Sequence, residues 1–243
     1  MTITKATLIK GFLETSFIDW PGKIVSVLFL PLCNFRCPYC HNYGLVLNPE
    51  KYKTISIEHI LDRLDALKGW IDGICISGGE PTLHPSLPEL VRTFKAKGLR
   101  IKLDTNGTNP GILKNLLQNR LIDYVSMDVK GPLDETRYSR CAGVPVNLES
   151  IKESIVLLKG GTLPYEFRTT IVPSLLNEDD IMELARQLAG AKKLTLQNFN
   201  PSDPLDARLK SVTPYNDEDL KRLQDKVSEI LQDAGEEVNE EGV

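Results

Sequence analysis

The chain lacks any apolar run long enough to cross a bilayer. Its opening stretch, MTITKATLIKGFLETSF, is polar and alternating, so no signal peptide is expected. It also lacks an excess of either charge, with 29 Lys and Arg against 33 Asp and Glu and a net charge of −4. That balance offers no basic surface for nucleic acid or for an anionic membrane, and neither is expected as a partner. Internal repeats and low-complexity stretches are missing, apart from the charged ending EEVNEEGV. Cysteine is scarce, and five is an odd number. With no secretion signal, this argues against a disulfide framework and for a cytoplasmic chain whose thiols serve metal or redox chemistry.

What is present is an alternation. Short β-branched runs fall at 25–30, 73–77, 100–104, 124–128, 166–172 and 194–197. Segments of helical period lie between them, and a last helix is expected over PYNDEDLKRLQDKVSEILQDAG. Ser56, Ser86 and Asn147 are placed to cap helices, and the glycines of ALKG, KAKG, LLKG and QLAG to stop them. Strand–helix alternation repeated this often argues for a parallel α/β sheet, open or barrel-like, with an antiparallel strand at its start. At 243 residues, a single domain over 1–233 is expected, followed by an acidic, flexible tail at 234–243.

Three successive strands end in ICISGGEP, IKLDTNG and VSMDVKG, and the first parallel strand runs straight into CNFRCPYCHN. Parallel α/β sheets gather ligands at the carboxyl ends of their strands. One rim is therefore expected to carry a thiol loop, a double glycine, two aspartates and a lysine.

The thiol loop reads C-x3-C-x2-C: Cys33, Cys37 and Cys40. Cys37-Pro38-Tyr39-Cys40 matches a dithiol redox motif, but such an enzyme needs neither Cys33 nor the rim downstream. With His41 it matches c-type haem attachment, which needs an exported chain. A Cys3His zinc site would have to turn the adjacent Cys40 and His41 into one tetrahedron. The remaining reading is a [4Fe–4S] cluster with three protein thiolates and one iron left open to an exogenous chelate. The amino and carboxylate groups of a methionine make such a chelate.

CNFRCPYC, with aromatic Tyr39, resembles the cluster motif of radical S-adenosylmethionine enzymes, and ISGGEP resembles their glycine–glycine–glutamate motif. DWPGK, LDTNG, MDVKG and FRTTIVPSLLNEDD resemble segments of glycyl-radical-enzyme activating enzymes, in the same order. The resemblance spans nearly the whole chain and thins after Asn200. It is nearest to the branch that activates anaerobic ribonucleoside-triphosphate reductase, with pyruvate formate-lyase activating enzyme close by.

This resemblance implies a partial (β/α)6 TIM-like barrel of parallel strands, with a short N-terminal β extension and a C-terminal helix. It implies a [4Fe–4S] cluster on Cys33, Cys37 and Cys40, with S-adenosylmethionine on the open iron. Reductive cleavage would release a 5′-deoxyadenosyl radical that takes hydrogen from a glycine of a partner enzyme. Reduced flavodoxin or ferredoxin would donate the electron. Gly78 and Gly79 would let backbone approach the cofactor, with Glu80 fixing the loop. Tyr39 would offer its backbone to adenine or pack its ring. Asp104, Thr105, Ser126 and Asp128 match positions that help hold a monovalent cation, and Asn106 joins them as a cofactor neighbour. Lys130 would pair with the cofactor carboxylate or with Asp128. Arg168 would grip the cofactor or the substrate loop, or serve as an ion-pair partner. Asp19 would touch the glycyl loop or cap the DWPG turn. Asn200 falls where the relatives place an adenine-side histidine.

His59 and His84 read as helix-surface or turn residues, Cys75 as a core thiol, and Cys141 as lying outside the motif. Two other functions remain open at this point. One is a small-molecule radical enzyme of the 7-carboxy-7-deazaguanine synthase type. The other is a non-catalytic iron–sulfur carrier or zinc module, which leaves GGEP, DTNG and MDVK without a purpose.

Overall fold

A computed structural model describes residues 8–240, the side chains of 233–240 apart. Among the described residues, one sheet holds seven strands in chain order. They are β1 (Gly11–Ser16), β2 (Val25–Leu30), β3 (Gly73–Gly78), β4 (Arg100–Thr105), β5 (Tyr124–Asp128), β6 (Tyr165–Ile171) and β7 (Leu194–Asn198). The helices are α1 (Tyr43–Leu47), α2 (Ile57–Ala66), α3 (Leu87–Lys95), α4 (Pro110–Gln118), α5 (Glu135–Ala142), α6 (Leu148–Lys159), α7 (Glu178–Gln187) and α8 (Asp217–Glu240). β1 is antiparallel to β2, whereas β2–β3, β3–β4 and β6–β7 are parallel. Order and alternation are those of a partial (β/α)6 barrel with an N-terminal β extension and a C-terminal helix.

The expected strands are found within a residue of their ends. Ser56 and Asn147 cap α2 and α6 through their side chains, but Ser86 makes no side-chain cap. The NEDD segment is a capping box: Asn177 accepts from the Asp180 amide at 2.8 Å, and Asp180 accepts from the Asn177 amide at 3.2 Å. α1 and α5 were not expected. α5, ETRYSRCA, hides its apolar stripe in three residues, Tyr138, Cys141 and Ala142, whose i, i+3, i+4 spacing is easily missed in so polar a stretch. α8 is helical through Glu240, taking in most of the segment expected as a tail, while 241–243 lie outside the described residues.

The chain divides into two compact units. The first holds residues up to Asn34, Asn42–Thr105 and Asn109–Ser126. In it, one face of β2, β3 and β4 carries Leu28, Leu30, Ile74, Ile76, Ile101 and Leu103, all fully buried. On the other face, Val25, Val27 and Cys75 pack with Trp20, Phe29 and Tyr124. Toward the strand ends the same face turns polar, with Ser77, Lys102 and Asp104. The period-2 pleat makes this division of labour: helices cover one face, and chemistry occupies the far end of the other.

The second unit holds Phe35–His41, Asn106–Thr108 and Met127–Val243. On β6, Phe167, Thr169 and Ile171 lie on one face, and Glu166, Arg168 and Thr170 on the other. Ile151, Ile155, Leu158, Ile181, Leu184 and Val227 supply the buried stripes of its helices.

Candidate active site

In the first unit, the end of β2 and the end of β3 are bound together by backbone. Gly79 donates to the Leu30 carbonyl at 2.7 Å, and Glu80 donates to the Leu32 carbonyl at 2.8 Å. A Cβ on Gly78 would overlap the Leu30 backbone, and one on Gly79 would overlap the Leu32 carbonyl oxygen. The double glycine is therefore demanded by the segment that leads into Cys33. Leu32 itself sits at φ 65°, unusual for a branched residue, where the chain leaves the sheet. The His84 ring donates to the Pro31 carbonyl at 2.7 Å, and Asn42 donates to the Gly78 carbonyl at 2.9 Å.

Glu80 is fully buried. Its Oε1 accepts from the Thr82 amide at 3.0 Å, the Thr82 hydroxyl at 2.6 Å and the Thr105 hydroxyl at 2.7 Å. It holds the loop through Thr82 and ties it to the end of β4 through Thr105. Asp104 takes the Lys102 ammonium on Oδ1 at 2.5 Å and the Ser77 hydroxyl on Oδ2 at 3.1 Å. Lys102 is buried, with its Nζ 3.9 Å from the Cys75 sulfur. Ser126 is buried. Asp19 accepts from the Ser16 hydroxyl at 2.5 Å beside the tight turn that closes on Lys23.

In the second unit, the loop bearing Cys37 and Cys40 is anchored at two points and closed by a turn of its own. Arg36 donates to the Ala142 carbonyl at 2.8 Å and Asp206 to the Pro38 carbonyl at 2.8 Å, while within the loop Cys40 donates to the Cys37 carbonyl at 2.9 Å. Gly143 closes α5 at φ 72°, and a Cβ there would overlap the Arg36 carbonyl. α5 thus serves as a shelf for the thiol loop, with Phe35 edge-on to Tyr138. Burial pushes the Cys37 thiol up, against the pull of Lys130. Cys141 is buried on α5, and its thiol is pushed up to about 12 by burial. None of the five cysteines is in a disulfide. Among the described residues, no set of three or more His, Cys, Asp or Glu side chains stands ready-made as a metal site.

Asp128 accepts from Lys130 at 3.0 Å and from Arg168 Nε at 2.8 Å. Burial alone would raise its carboxyl, but the two cations prevail and hold it at about 2. Lys130 feels the converse: burial lowers it, yet Asp128 and its neighbours hold it well above the usual lysine range. Its ammonium stands 6.0 Å from the centroid of the buried Tyr39 ring. Asn106 is buried and accepts from the Thr108 amide at 3.0 Å and the Thr108 hydroxyl at 2.7 Å. Asn200 is exposed and accepts from the Ser202 amide at 2.9 Å. Nearby, Asn198 donates to the Tyr215 carbonyl at 2.6 Å, while its buried Oδ1 meets no donor.

The model for the Radical SAM superfamily matches residues 27–188. The chain belongs to the radical SAM superfamily. Within it, the chain shares a family with a protein of Methanocaldococcus jannaschii named a glycyl-radical enzyme activating enzyme. The two are 37% identical over 89% of this chain and 90% of the other. The pyruvate formate-lyase-activating enzyme of Clostridium pasteurianum is 26% identical over 88% of this chain and 94% of its own. The fold is shared with coproporphyrinogen III oxidase of Escherichia coli, at a TM-score of 0.57 and 14% identity, covering 86% of this chain and 52% of that one.

Radical SAM enzymes work with a [4Fe–4S] cluster and S-adenosylmethionine. The donor set here fits: three thiols at C-x3-C-x2-C supply thiolate sulfur, the ligand iron–sulfur clusters take. The monovalent cation fits less well, because both aspartates expected to hold it already face cations of this chain.

Five residues beside these candidates left little sign in the sequence: Lys102, His84, Asn42 and Thr82 in the first unit, which bond its strand ends and loops, and Asn198 in the second. Lys102 alone left a trace, as a lysine set between Ile101 and Leu103 inside a strand. His84 does lie at a turn, yet it is buried by its bond to Pro31, a long-range partner with no local signature.

Proposed function

We propose that this radical SAM enzyme installs a glycyl radical in anaerobic ribonucleoside-triphosphate reductase. The observation that carries this is the three-thiol loop at the end of β2, in a chain with a 37%-identical relative named as a glycyl-radical enzyme activating enzyme. DWPGK ahead of the loop supports the reductase branch.

When bound, the cluster and S-adenosylmethionine supply hydrogen-atom abstraction from carbon. Cys33, Cys37 and Cys40 would hold the cluster. Gly78 and Gly79 keep the β3 end against the segment entering Cys33, and their side-chain-free backbone would meet the cofactor's amino group. Glu80 holds that loop to Thr105, so Thr105 acts as a brace. Lys130 and Arg168 orient Asp128 and present fixed positive charge to the cofactor carboxylate. Tyr39 packs its ring beneath Lys130, and its backbone would be offered to adenine. Asn106 and Ser126, each buried in its own unit, would serve as cofactor neighbours. Asn200 holds the turn after β7, and Asp19 holds the DWPG turn near the glycyl loop of the partner. Residues 1–233 work as one domain in the cytoplasm, with reduced flavodoxin or ferredoxin as electron donor.

The test is anaerobic reconstitution with iron and sulfide, followed by reduction and mixing with the reductase. Cleavage of S-adenosylmethionine together with a doublet organic-radical signal in electron paramagnetic resonance is expected. Cleavage with no such signal from the reductase or any other glycyl radical enzyme would instead favour a small-molecule enzyme of the 7-carboxy-7-deazaguanine synthase type.

A further inference from the structure

We propose that Lys102 stands in for a monovalent cation at Asp104, so that S-adenosylmethionine binds this chain without an added alkali ion. The inference rests on the radical SAM reading above and concerns how the chain balances charge around its cofactor.

An alkali ion held at Asp104 needs carboxylate oxygens that are open to it. Asp104 does not offer them. Its Oδ1 faces the Lys102 ammonium at 2.5 Å, and its Oδ2 accepts the Ser77 hydroxyl at 3.1 Å. The neighbouring Thr105 hydroxyl donates to Glu80 at 2.7 Å. An ion placed beside Lys102 would meet like charge.

Lys102 is held there by its position in the sheet. It lies on β4 two residues before Asp104, so the pleat puts both side chains on one face. Register sets Lys102 beside Cys75, and Cys75 beside Val27. The strand starts on that face are filled by Trp20, Val25, Val27 and Cys75, all apolar. The ammonium is therefore closed off on that side and turns toward the strand ends, where Asp104 stands. Its side chain is 2% exposed and that of Asp104 12%. A buried ammonium is tolerated only with a carboxylate partner, and the converse holds for Asp104.

Asp128, the other aspartate expected to hold the ion, follows the same rule in its own unit. Lys130 and Arg168 each reach it within 3.0 Å. IKLD and DVK thus read alike, with a lysine two residues from each aspartate on the same strand face or just past its end.

The experiment measures S-adenosylmethionine affinity of the anaerobically reconstituted holoprotein in potassium, sodium and tetramethylammonium buffers of equal ionic strength. Wild-type affinities should agree within about twofold across the three. Lys102→Met removes the ammonium that faces Asp104 Oδ1. Its affinity should fall by about tenfold in tetramethylammonium and recover in potassium. That rescue separates a charge role from a purely structural one. If the variant does not fold, the wild-type series alone decides. Wild-type binding that requires potassium or sodium would overturn the proposal while leaving the enzyme reading intact. A Lys102→Met loss that potassium does not restore would overturn the role of Lys102. No binding in any buffer would remove the radical SAM reading, and this inference with it.

Discussion

The Glu80 carboxylate accepts the Thr105 hydroxyl at 2.7 Å, joining the loop after β3 to the end of β4. Two further donors from Thr82 converge on the same oxygen. A fully buried carboxylate is stable only because its lone pairs are filled in this way. Glu80→Ala should therefore destabilise the protein by roughly 2 kcal/mol or more, since it strands buried donors. Glu80→Gln, which keeps one acceptor oxygen, should cost less. Urea denaturation measures both, and equal losses would mean that the acceptor is not what matters.

Gly79→Ala should be worse tolerated than its size suggests. Its Cβ has no room beside the Leu32 carbonyl, so the Leu30–Leu32 segment must shift. A loss of about 1–3 kcal/mol is expected, with poorer iron retention after reconstitution. Normal stability together with normal iron content would show that the two strand ends separate more easily than the geometry indicates.

Cys37→Ser should leave circular dichroism and thermal unfolding of the apoprotein close to wild type while abolishing cluster content and S-adenosylmethionine cleavage. Cys141→Ala should keep both, because that thiol is a packing group on α5. Iron and sulfide assays distinguish them. A Cys37→Ser protein with full cleavage would remove Cys37 from the ligand set.

Asp128 gives a pH signature. Its carboxyl is held at about 2, below the ordinary 3.8, chiefly by Arg168 and Lys130 once burial is overcome. Its contribution is complete above the ordinary value and is lost as pH falls from about 4 to about 2. The amount is roughly 2 kcal/mol. The stability gap between wild type and Asp128→Asn should therefore be widest at neutral pH and narrow across that acid window. A gap that stays constant from pH 7 to pH 2 would mean the ion pairs add nothing.

Much of the site was legible beforehand for a specific reason. C-x3-C-x2-C, GGEP, DTNG and MDVK are contiguous, and each follows a strand whose β-branched run is equally contiguous. Short-range patterns of this kind survive in one dimension. Glu80 is expected from the motif to hold its loop; its tie to Thr105 spans 25 residues and left no mark in the chain. The glycines were read as room for a cofactor. They are required by the Leu30 and Leu32 backbone, a partner known only once β2 and β3 are paired. α5 escaped because its buried residues are few, and what makes it a helix worth having is the thiol loop resting on its end.

The sequence by itself determined which atoms are available: three thiols on one loop, two aspartates at strand ends, and strands whose pattern alternates with helices. These are properties of covalent spacing and side-chain period, and they hold before any long-range contact forms. Tertiary structure decided which charges meet. Lys102, closed off by Trp20, Val25, Val27 and Cys75, is turned onto Asp104, and Arg168 reaches Asp128 from 40 residues away. A buried charge must find its partner wherever the folded chain brings one, and that is settled by packing and dielectric.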